Sequence, residues 1–387
     1  MLSTRKNRSV VGLDIEAGSA AAAEVAQNGH VAVTKFGTVA LGPGVFRDGE
    51  VKDAAALTEA LKELFAANKL SKNVRLGLAS QRVAVRTLRL PSIENPKELE
   101  TAVRFQAQDQ IPMPLDQAVM DWQVVGHSNG PNGERFVEVV AVAARREALA
   151  GLLAAMRRAG LRPLGVDLSA FGMIRALARE TGEAVGPGAY IDAPGPDGAA
   201  YEAEMPEHLA GEGSAAAGAV APEVPARLYC NLGDVTNLAV ARPGTCLFTR
   251  ISPFGVEGIA QKLAERRQLN LEHARQWLVH VGLEEPLESI EGDPEIVASA
   301  RDSLVEGAGR LVDELRLSLD YYAAQEEAVP VEGVFACGPG TTIRGLTERL
   351  QRDLGQRFDI ARPEPLAHLD GQTAARLTVS FGLGLED

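Results

Sequence analysis

One design occurs twice in this chain: an apolar strand, a turn carrying an acid and a glycine, and a second strand. The first copy runs Val10-Val11-Gly12-Leu13-Asp14-Ile15-Glu16-Ala17-Gly18-Ser19 and continues from Ala20 to Val25. The second runs Leu228-Tyr229-Cys230-Asn231-Leu232-Gly233-Asp234-Val235-Thr236-Asn237 and continues from Leu238 to Val240, which makes Asn231 the counterpart of Asp14. A hairpin signal closes each copy, Asn28-Gly29 in one and Pro243-Gly244 in the other. A third segment, Gly333-Val334-Phe335-Ala336-Cys337-Gly338-Pro339-Gly340-Thr341-Thr342, reads as a buried strand running into a glycine turn and then a helix. Three such segments in this order constrain the chain to a duplicated α/β domain with a cleft between its halves.

Turns of this kind have a chemistry. Glycines and small residues let backbone N–H groups come close to phosphate oxygens and form anion-binding concavities. A carboxylate at a strand end can hold Mg²⁺ through water. The candidate nucleotide-binding residues are therefore Asp14, Gly18 and Ser19 in the first turn, Asn231, Gly233 and Thr236 in the second, and Gly338 and Gly340 in the third. Asp14 is also the candidate Mg²⁺ holder. Each has a plainer reading: Asp14 as the cap of a strand end, Thr236 as a turn hydroxyl.

At 387 residues the chain has room for about two to four domains of roughly 100 to 200 residues. Its net charge of −13 argues against electrostatic capture of nucleic acid or of an anionic membrane. Arg5, Lys6 and Arg8 stand near the start, but strand-like alternation follows them where a signal peptide would carry an apolar run. No apolar stretch reaches the roughly 18 residues of a membrane span, so a cytoplasmic location is expected. Cys230, Cys246 and Cys337 lie singly in strand-like runs and read as buried reduced thiols. The histidines are scattered, and neither a Gly-Lys dipeptide nor a His-Glu-x-x-His or Cys-x-x-Cys spacing occurs.

Between the two copies lies a folded insert. Val83 to Pro91 alternates as a strand, and Asn95-Pro96-Lys97-Glu98 opens a helix with Asn95 as N-cap, Pro96 at the first helical position and Glu98 reaching back as in a capping box. Leu99, Val103, Ala107 and Ile111 recur every four residues, and Pro112 and Pro114 end the helix. Strands over Val119 to Val125 and Phe136 to Ala144, a helix over Glu147 to Ala159 and a strand over Leu161 to Val166 complete a small α+β unit assigned to residues 83–166. Residues 186–225, rich in Ala, Gly, Pro and Glu and without periodicity, read as a flexible surface insertion. Val256 to Leu278 reads as two helices, and Asp293-Pro294 opens a long one with Leu304, Ala308, Leu311, Leu315, Leu319 and Tyr322 on one face. Gly307 and Gly309 lie within it and imply a close helix contact.

Three passages resemble PilM, the actin-like protein family of type IV pilus assembly related to the cell-division protein FtsA. They are Arg86-Thr-Leu-Arg-Leu-Pro91 with Ala102-Val-Arg-Phe-Gln-Ala107 and Gln110-Ile-Pro112, then Asp313-Glu-Leu-Arg-Leu-Ser-Leu-Asp-Tyr-Tyr322, then Ser380-Phe-Gly-Leu-Gly-Leu385. The resemblance implies a two-lobed actin/Hsp70-like ATPase fold with duplicated RNase H-like subdomains 1A (residues 1–82 and 167–185) and 2A (226–255 and 310–387). Subdomain 1C (83–166) and subdomain 2B (256–309) would be the small insertions. It further implies ATP or ADP with Mg²⁺ in the cleft. The partner would be the short tail of a PilN-like inner-membrane protein, held in a groove between 1A and 1C, which would keep the protein at the inner face of the cytoplasmic membrane.

The departures from that pattern bear on activity. The family's first loop reads approximately Asp-Ile-Gly-Ser-x-Ser-x-Lys; here Glu16 stands for the glycine, Ala17 for a serine and Ala21 for the lysine. A carboxylate facing a phosphate oxygen at about 4 Å is repelled by roughly 4 kcal/mol at an effective dielectric of 20. Asn231 replaces the second loop's Asp, Arg275 and Leu278 replace the Glu and Lys of the purine-side pattern, and Pro339 removes an N–H donor from the third turn. Four altered motifs around one cleft imply weakened nucleotide binding. The expected function is a pilus-assembly scaffold; the alternatives are an active ATPase of the same fold, a small-molecule kinase, or an FtsA-like anchor. The last is disfavoured because the sequence stops at Glu386-Asp387 without an amphipathic membrane helix.

Overall fold

The structure, a computed structural model, describes residues 9–27, 30–130, 132–178, 191–192, 225–243, 245–325 and 328–385. The hairpin tip Asn28-Gly29, Gly244 and nearly all of the 186–225 stretch lie outside these residues.

Strands β1 (Val10–Ile15), β2 (Ser19–Gln27) and β3 (Val31–Ala40) form an antiparallel meander. A short hairpin of β4 (Phe46–Arg47) and β5 (Glu50–Val51) leads to helix α1 (Ala54–Ala67). Asp53 caps that helix, its carboxylate accepting from the amides of Ala55 at 3.0 Å and Ala56 at 2.9 Å. Leu57, Leu61 and Leu64 recur on one face and are buried. Each contributes about 2 kcal/mol of burial. Strand β6 (Asn73–Leu78) then returns parallel to β1.

The insert follows as β7 (Ala84–Pro91), α2 (Pro96–Gln110), β8 (Ala118–Asn129) and β9 (Arg135–Arg145). Its three strands form a separate sheet in the order β7-β9-β8, with Leu99, Val103 and Ala107 of α2 in a core of their own with Leu88 and Val139. Asn95 caps α2 as expected, accepting from the Lys97 amide at 3.0 Å. Glu98 meets the Asn95 side-chain amide at 3.2 Å where a capping box would use the backbone N–H. The next helix, α3 (Arg146–Arg158), and strand β10 (Arg162–Leu168) fell within the expected insert. The structure gives both to the first lobe: Leu149, Leu152 and Met156 pack into its core, and β10 pairs with β6. Helix α4 (Ser169–Ala178) and β11 (Ile191–Asp192) follow, and the lobe's sheet runs β11-β10-β6-β1-β2-β3.

The second lobe repeats the plan. Strands β12 (Ala226–Leu232), β13 (Thr236–Arg242) and β14 (Thr245–Ser252) form the meander. Helices α5 (Val256–Arg267), α6 (Leu271–Val281) and α7 (Pro294–Ala323) come next, then β15 (Val331–Cys337) parallel to β12. Helix α8 (Leu346–Leu354), β16 (Phe358–Ile360) and α9 (Gly371–Gly384) close the chain. The sheet order β14-β13-β12-β15-β16 reproduces the order β3-β2-β1-β6-β10 of the first lobe. The duplication read from the sequence is thus a duplication of topology. The α5–α7 layer shares one continuous core with β12 and β13, through Ile259, Leu263, Leu278 and Leu304. A Cβ at Gly307 would lie 2.5 Å from Ile259, so the expected close contact is with α5, whereas Gly309 meets nothing within 4 Å.

Period-two geometry decides what the lobes turn toward each other. On β1, Val11, Leu13 and Ile15 face the α1/α3 core, which sends Gly12 and Asp14 to the opposite side. There α9 packs against β1 and β2, although it follows the second sheet in sequence. A Cβ on Gly12 would come 1.9 Å from the Ser380 carbonyl, and one on Gly382 would come 1.8 Å from that of Gly172 in α4. The glycines of the closing segment are there because α4, α9 and β1 touch backbone to backbone. Beside them Arg175 pairs with Asp167 and donates to the Gly382 carbonyl at 3.1 Å.

Candidate functional site

The two hairpin turns meet across the cleft. Ile15 pairs with Ala20, leaving a four-residue turn, and Leu232 pairs with Thr236, leaving a three-residue one. Glu16 extends from the first turn into the second: one carboxylate oxygen accepts from the Asp234 amide at 2.8 Å, the other from Asn231 Nδ2 at 3.1 Å. Asp234 returns the contact, its Oδ2 accepting from the Gly18 amide at 2.7 Å. Each turn's N–H thus points into a carboxylate of the other turn, where the chemistry of such turns offers it to a phosphate.

Arg275 of α6 covers this exchange. It forms a bidentate pair with Glu257 of α5, at 2.8 and 2.7 Å, and also reaches Glu272 at 3.1 Å. A Cβ on Gly18 would stand 2.2 Å from the Arg275 guanidinium, and one on Gly233 would stand 2.3 Å from the Glu16 carboxylate. A side chain at either position would push aside the charged group that presses on it. Burial acts to lower the Arg275 pKa, but Glu257 and Asp234 outweigh it and the guanidinium is held firmly charged.

The carboxyl groups are less comfortable. Burial raises Asp14 to about 6, with its bond from Ser169 Oγ at 2.7 Å opposing and Asp234 reinforcing the rise. Glu16 is pushed well above the usual carboxylate range by burial and by Asp234 and Asp14. Asp234 is raised by burial and by Glu257, against the Gly18 amide, Arg275 and Arg376. All three shifts run the same way: burial and like charge make each carboxyl hold its proton more tightly than it would in water.

The remaining candidates divide. Ser19 opens β2 with its hydroxyl 3.3 Å from Arg376 of α9. Gly338 has φ of +88° and packs on the second turn, where a Cβ would come 2.1 Å from Asn231 Oδ1. Gly340 is buried against Leu232. Gly338 is the N-cap of a short 3₁₀ turn, Pro339–Thr342, and Gly340 lies within it. Thr236 is fully buried, and its hydroxyl donates to the Phe254 carbonyl at 2.8 Å. Ala21 faces Asp14 across the ladder. Cys337 donates to Asn231 Oδ1 at 3.8 Å; burial raises Cys230 and Cys246 to about 12 and Cys337 well above its usual value. Among the described residues no group of three or more His, Cys, Asp and Glu is arranged to hold a metal ion, and no helix is long and apolar enough to cross a membrane.

Sequence reasoning did not single out Asp234, Glu257, Ser169 or Arg376. Asp234 carried the one signal, since it places a second acid in a turn opposite Glu16.

Two lobes of repeated topology closing on paired hairpin turns define a two-lobed α/β protein of the actin/Hsp70-like ATPase fold. Residues 12–185 match the family model of the type IV pilus assembly protein PilM. The fold is similar to that of a solved PilM-PilN type IV pilus biogenesis complex, with 24% identity over 98% of each chain and a TM-score of 0.71. More distant are MreB5 of Spiroplasma citri bound to ADP, with 12% identity, coverage of 97% and 94% and a TM-score of 0.48. The ethanolamine utilization protein EutJ of Carboxydothermus hydrogenoformans has 13% identity, coverage of 97% and 88% and a TM-score of 0.46.

Proposed function

We propose that this protein is a scaffold of type IV pilus assembly that binds the cytoplasmic tail of a PilN-like membrane protein and works without nucleotide turnover. The observation that carries the reading is the exchange of carboxylates between the turns. An incoming phosphate would have to displace Glu16 from the Asp234 amide and Asp234 from the Gly18 amide, and then sit among Asp14, Glu16 and Asp234. As arranged, these residues do not fit a nucleotide phosphate with Mg²⁺: the donors are taken and the acids are buried and raised in pKa.

The tail would lie between the first lobe and the three-stranded subdomain. Support for this comes from two exposed apolar side chains, Val124 on β8 and Leu164 on β10, and from the approach of β11 to β8. An extended tail with apolar anchors and main-chain contacts suits such a seam. Held this way, the protein would sit at the membrane through its partner.

Calorimetry tests both halves. A tail peptide of about 10 to 20 residues should bind with micromolar affinity, about −8 kcal/mol, and ATP with Mg²⁺ more weakly than about 0.1 mM, or −5.5 kcal/mol. The triple variant Glu16→Gly, Ala21→Lys, Asn231→Asp should tighten ATP about tenfold, or 1.4 kcal/mol. Micromolar ATP affinity with steady hydrolysis in the unaltered protein would overturn nucleotide independence. Loss of tail binding would overturn the scaffold.

A further inference from the structure

Asn237 stands directly across the ladder from Asn231, with Ile251 on its other side. Its side chain is buried, and both its Nδ2 and its Oδ1 lack a hydrogen-bond partner. Buried amides are paired in nearly all native interiors, so an orphaned donor and acceptor on one side chain calls for a physical cause. Asn237 lines a pocket of about 240 Å³ between the lobes, at the place where the chain leaves β6 for the small subdomain. Leu78, Val83, Leu168 and Ile251 form its apolar walls, and Gln81 bridges the lobes beside it by donating to the Ile251 carbonyl at 3.1 Å.

The chemistry of the opening narrows its occupant. A carboxamide presents one donor and one acceptor side by side in a plane. A carboxylate could satisfy Nδ2 only, and an ammonium Oδ1 only. A group that satisfies both carries a donor and an acceptor side by side, as do the N–H and C=O that one residue of an extended peptide directs to the same side. At about 30 Å³ per water, the pocket has the volume of about eight waters, or one to two amino-acid residues. Ser80, Gln81, Thr249 and Arg250 also line it, so an entering residue meets polar as well as apolar walls.

We propose that this pocket is a binding site for a peptide-amide edge, with Asn237 pairing to the N–H and C=O of one bound residue. The site is separate from the hairpin turns, where every named donor already has an acceptor. The amide has two sources, the tip of the partner's tail or a free small amide, and the first of these rests on the scaffold reading.

The test uses the full chain and two probes. N-acetylalanine N-methylamide, titrated against protein labelled at asparagine nitrogen, should shift the Asn237 side-chain resonance saturably. Asn237→Leu and Asn237→Ala should weaken that binding at least tenfold while raising the thermal midpoint of the ligand-free protein, because the orphaned atoms are gone. No saturable shift up to the probe's solubility limit, or undiminished binding to both variants, would overturn the site and leave a merely hydrated pocket. The tail peptide separates the sources. If its affinity also falls at least tenfold in the variants, the tail supplies the amide; if it binds wild type and variants equally while the small probe is lost, the site takes a free amide. A tail peptide that binds neither protein overturns the scaffold reading, and the small probe alone then decides the pocket.

Discussion

Asn231 and Asn237 are cross-strand neighbours on one face of one hairpin, yet they live in opposite circumstances. Asn231 donates to Glu16 at 3.1 Å and accepts from Cys337 at 3.8 Å, inside a cluster in which charge answers charge. Asn237 has no partner for either polar atom. A saturated polar cluster holds structure, because removing any member leaves another buried and unpaired. An orphaned one is a standing cost that only an occupant relieves. The turns therefore read as an internal clamp between the lobes, and the pocket beside them as the place still open to chemistry.

The comparison breaks if substitutions in the turn cluster and at Asn237 move stability in the same direction. The largest effect should come from Arg275→Ala, which strands Glu257 in the interior beside Asp234; about 4 kcal/mol of stability should be lost in urea unfolding. Replacing Arg275 and Glu257 together by Met and Leu should recover most of it. A wild-type-like Arg275→Ala protein would mean that the clamp carries no load.

Next is the pH dependence of Asp14. Its carboxyl, near 6 in the folded protein against an ordinary 3.8, holds its proton more tightly when folded. That stabilises the folded state fully below about pH 4 and is lost as pH rises to about 6, an effect of about 3 kcal/mol. Asp14→Asn should flatten stability over that interval, as followed by urea unfolding at a series of pH values. An unchanged slope would show that Asp14 does not titrate in the window.

Glu16→Ala should cost about 2 kcal/mol by leaving the Asp234 amide and Asn231 Nδ2 without an acceptor. Glu16→Gln keeps an acceptor for the amide and should lose about half as much. Equal losses for the two would assign the role of Glu16 to packing rather than to the cap. Opposite in sign to all of these is the rise in thermal midpoint expected at Asn237.

Much of the fold was legible before any coordinates. Strand, acid-and-glycine turn and strand recur because a buried parallel strand needs an unbroken apolar run and a tight turn needs small residues, and both are local requirements. Helix α2 announced itself by Asn95 and Pro96, and α7 by Pro294 and by Asp293, whose carboxylate accepts from the Glu295 amide at 2.8 Å. Periodicity located α3 and β10 to within a few residues. It could not say which sheet they join, since Leu149 and Leu152 are equally apolar against either.

What the amino-acid order determined by itself is therefore the set of elements, their caps and their duplication, each written within a few residues of chain. What only the tertiary structure decided lies between residues far apart. Glu16 had every sequence-level sign of an obstacle to phosphate, and the fold made it the acceptor for an amide 218 positions along the chain. Arg275 read as a lost glutamate, and the fold set it over Gly18 and against Glu257. Helix α9 follows the second sheet and packs on the first, through Gly12 and Gly384. Periodicity and propensity act over a turn or two of chain, whereas hydrogen bonds, desolvation and the fit of one backbone against another act over a few ångströms of space, and only the folded chain brings those residues within that range.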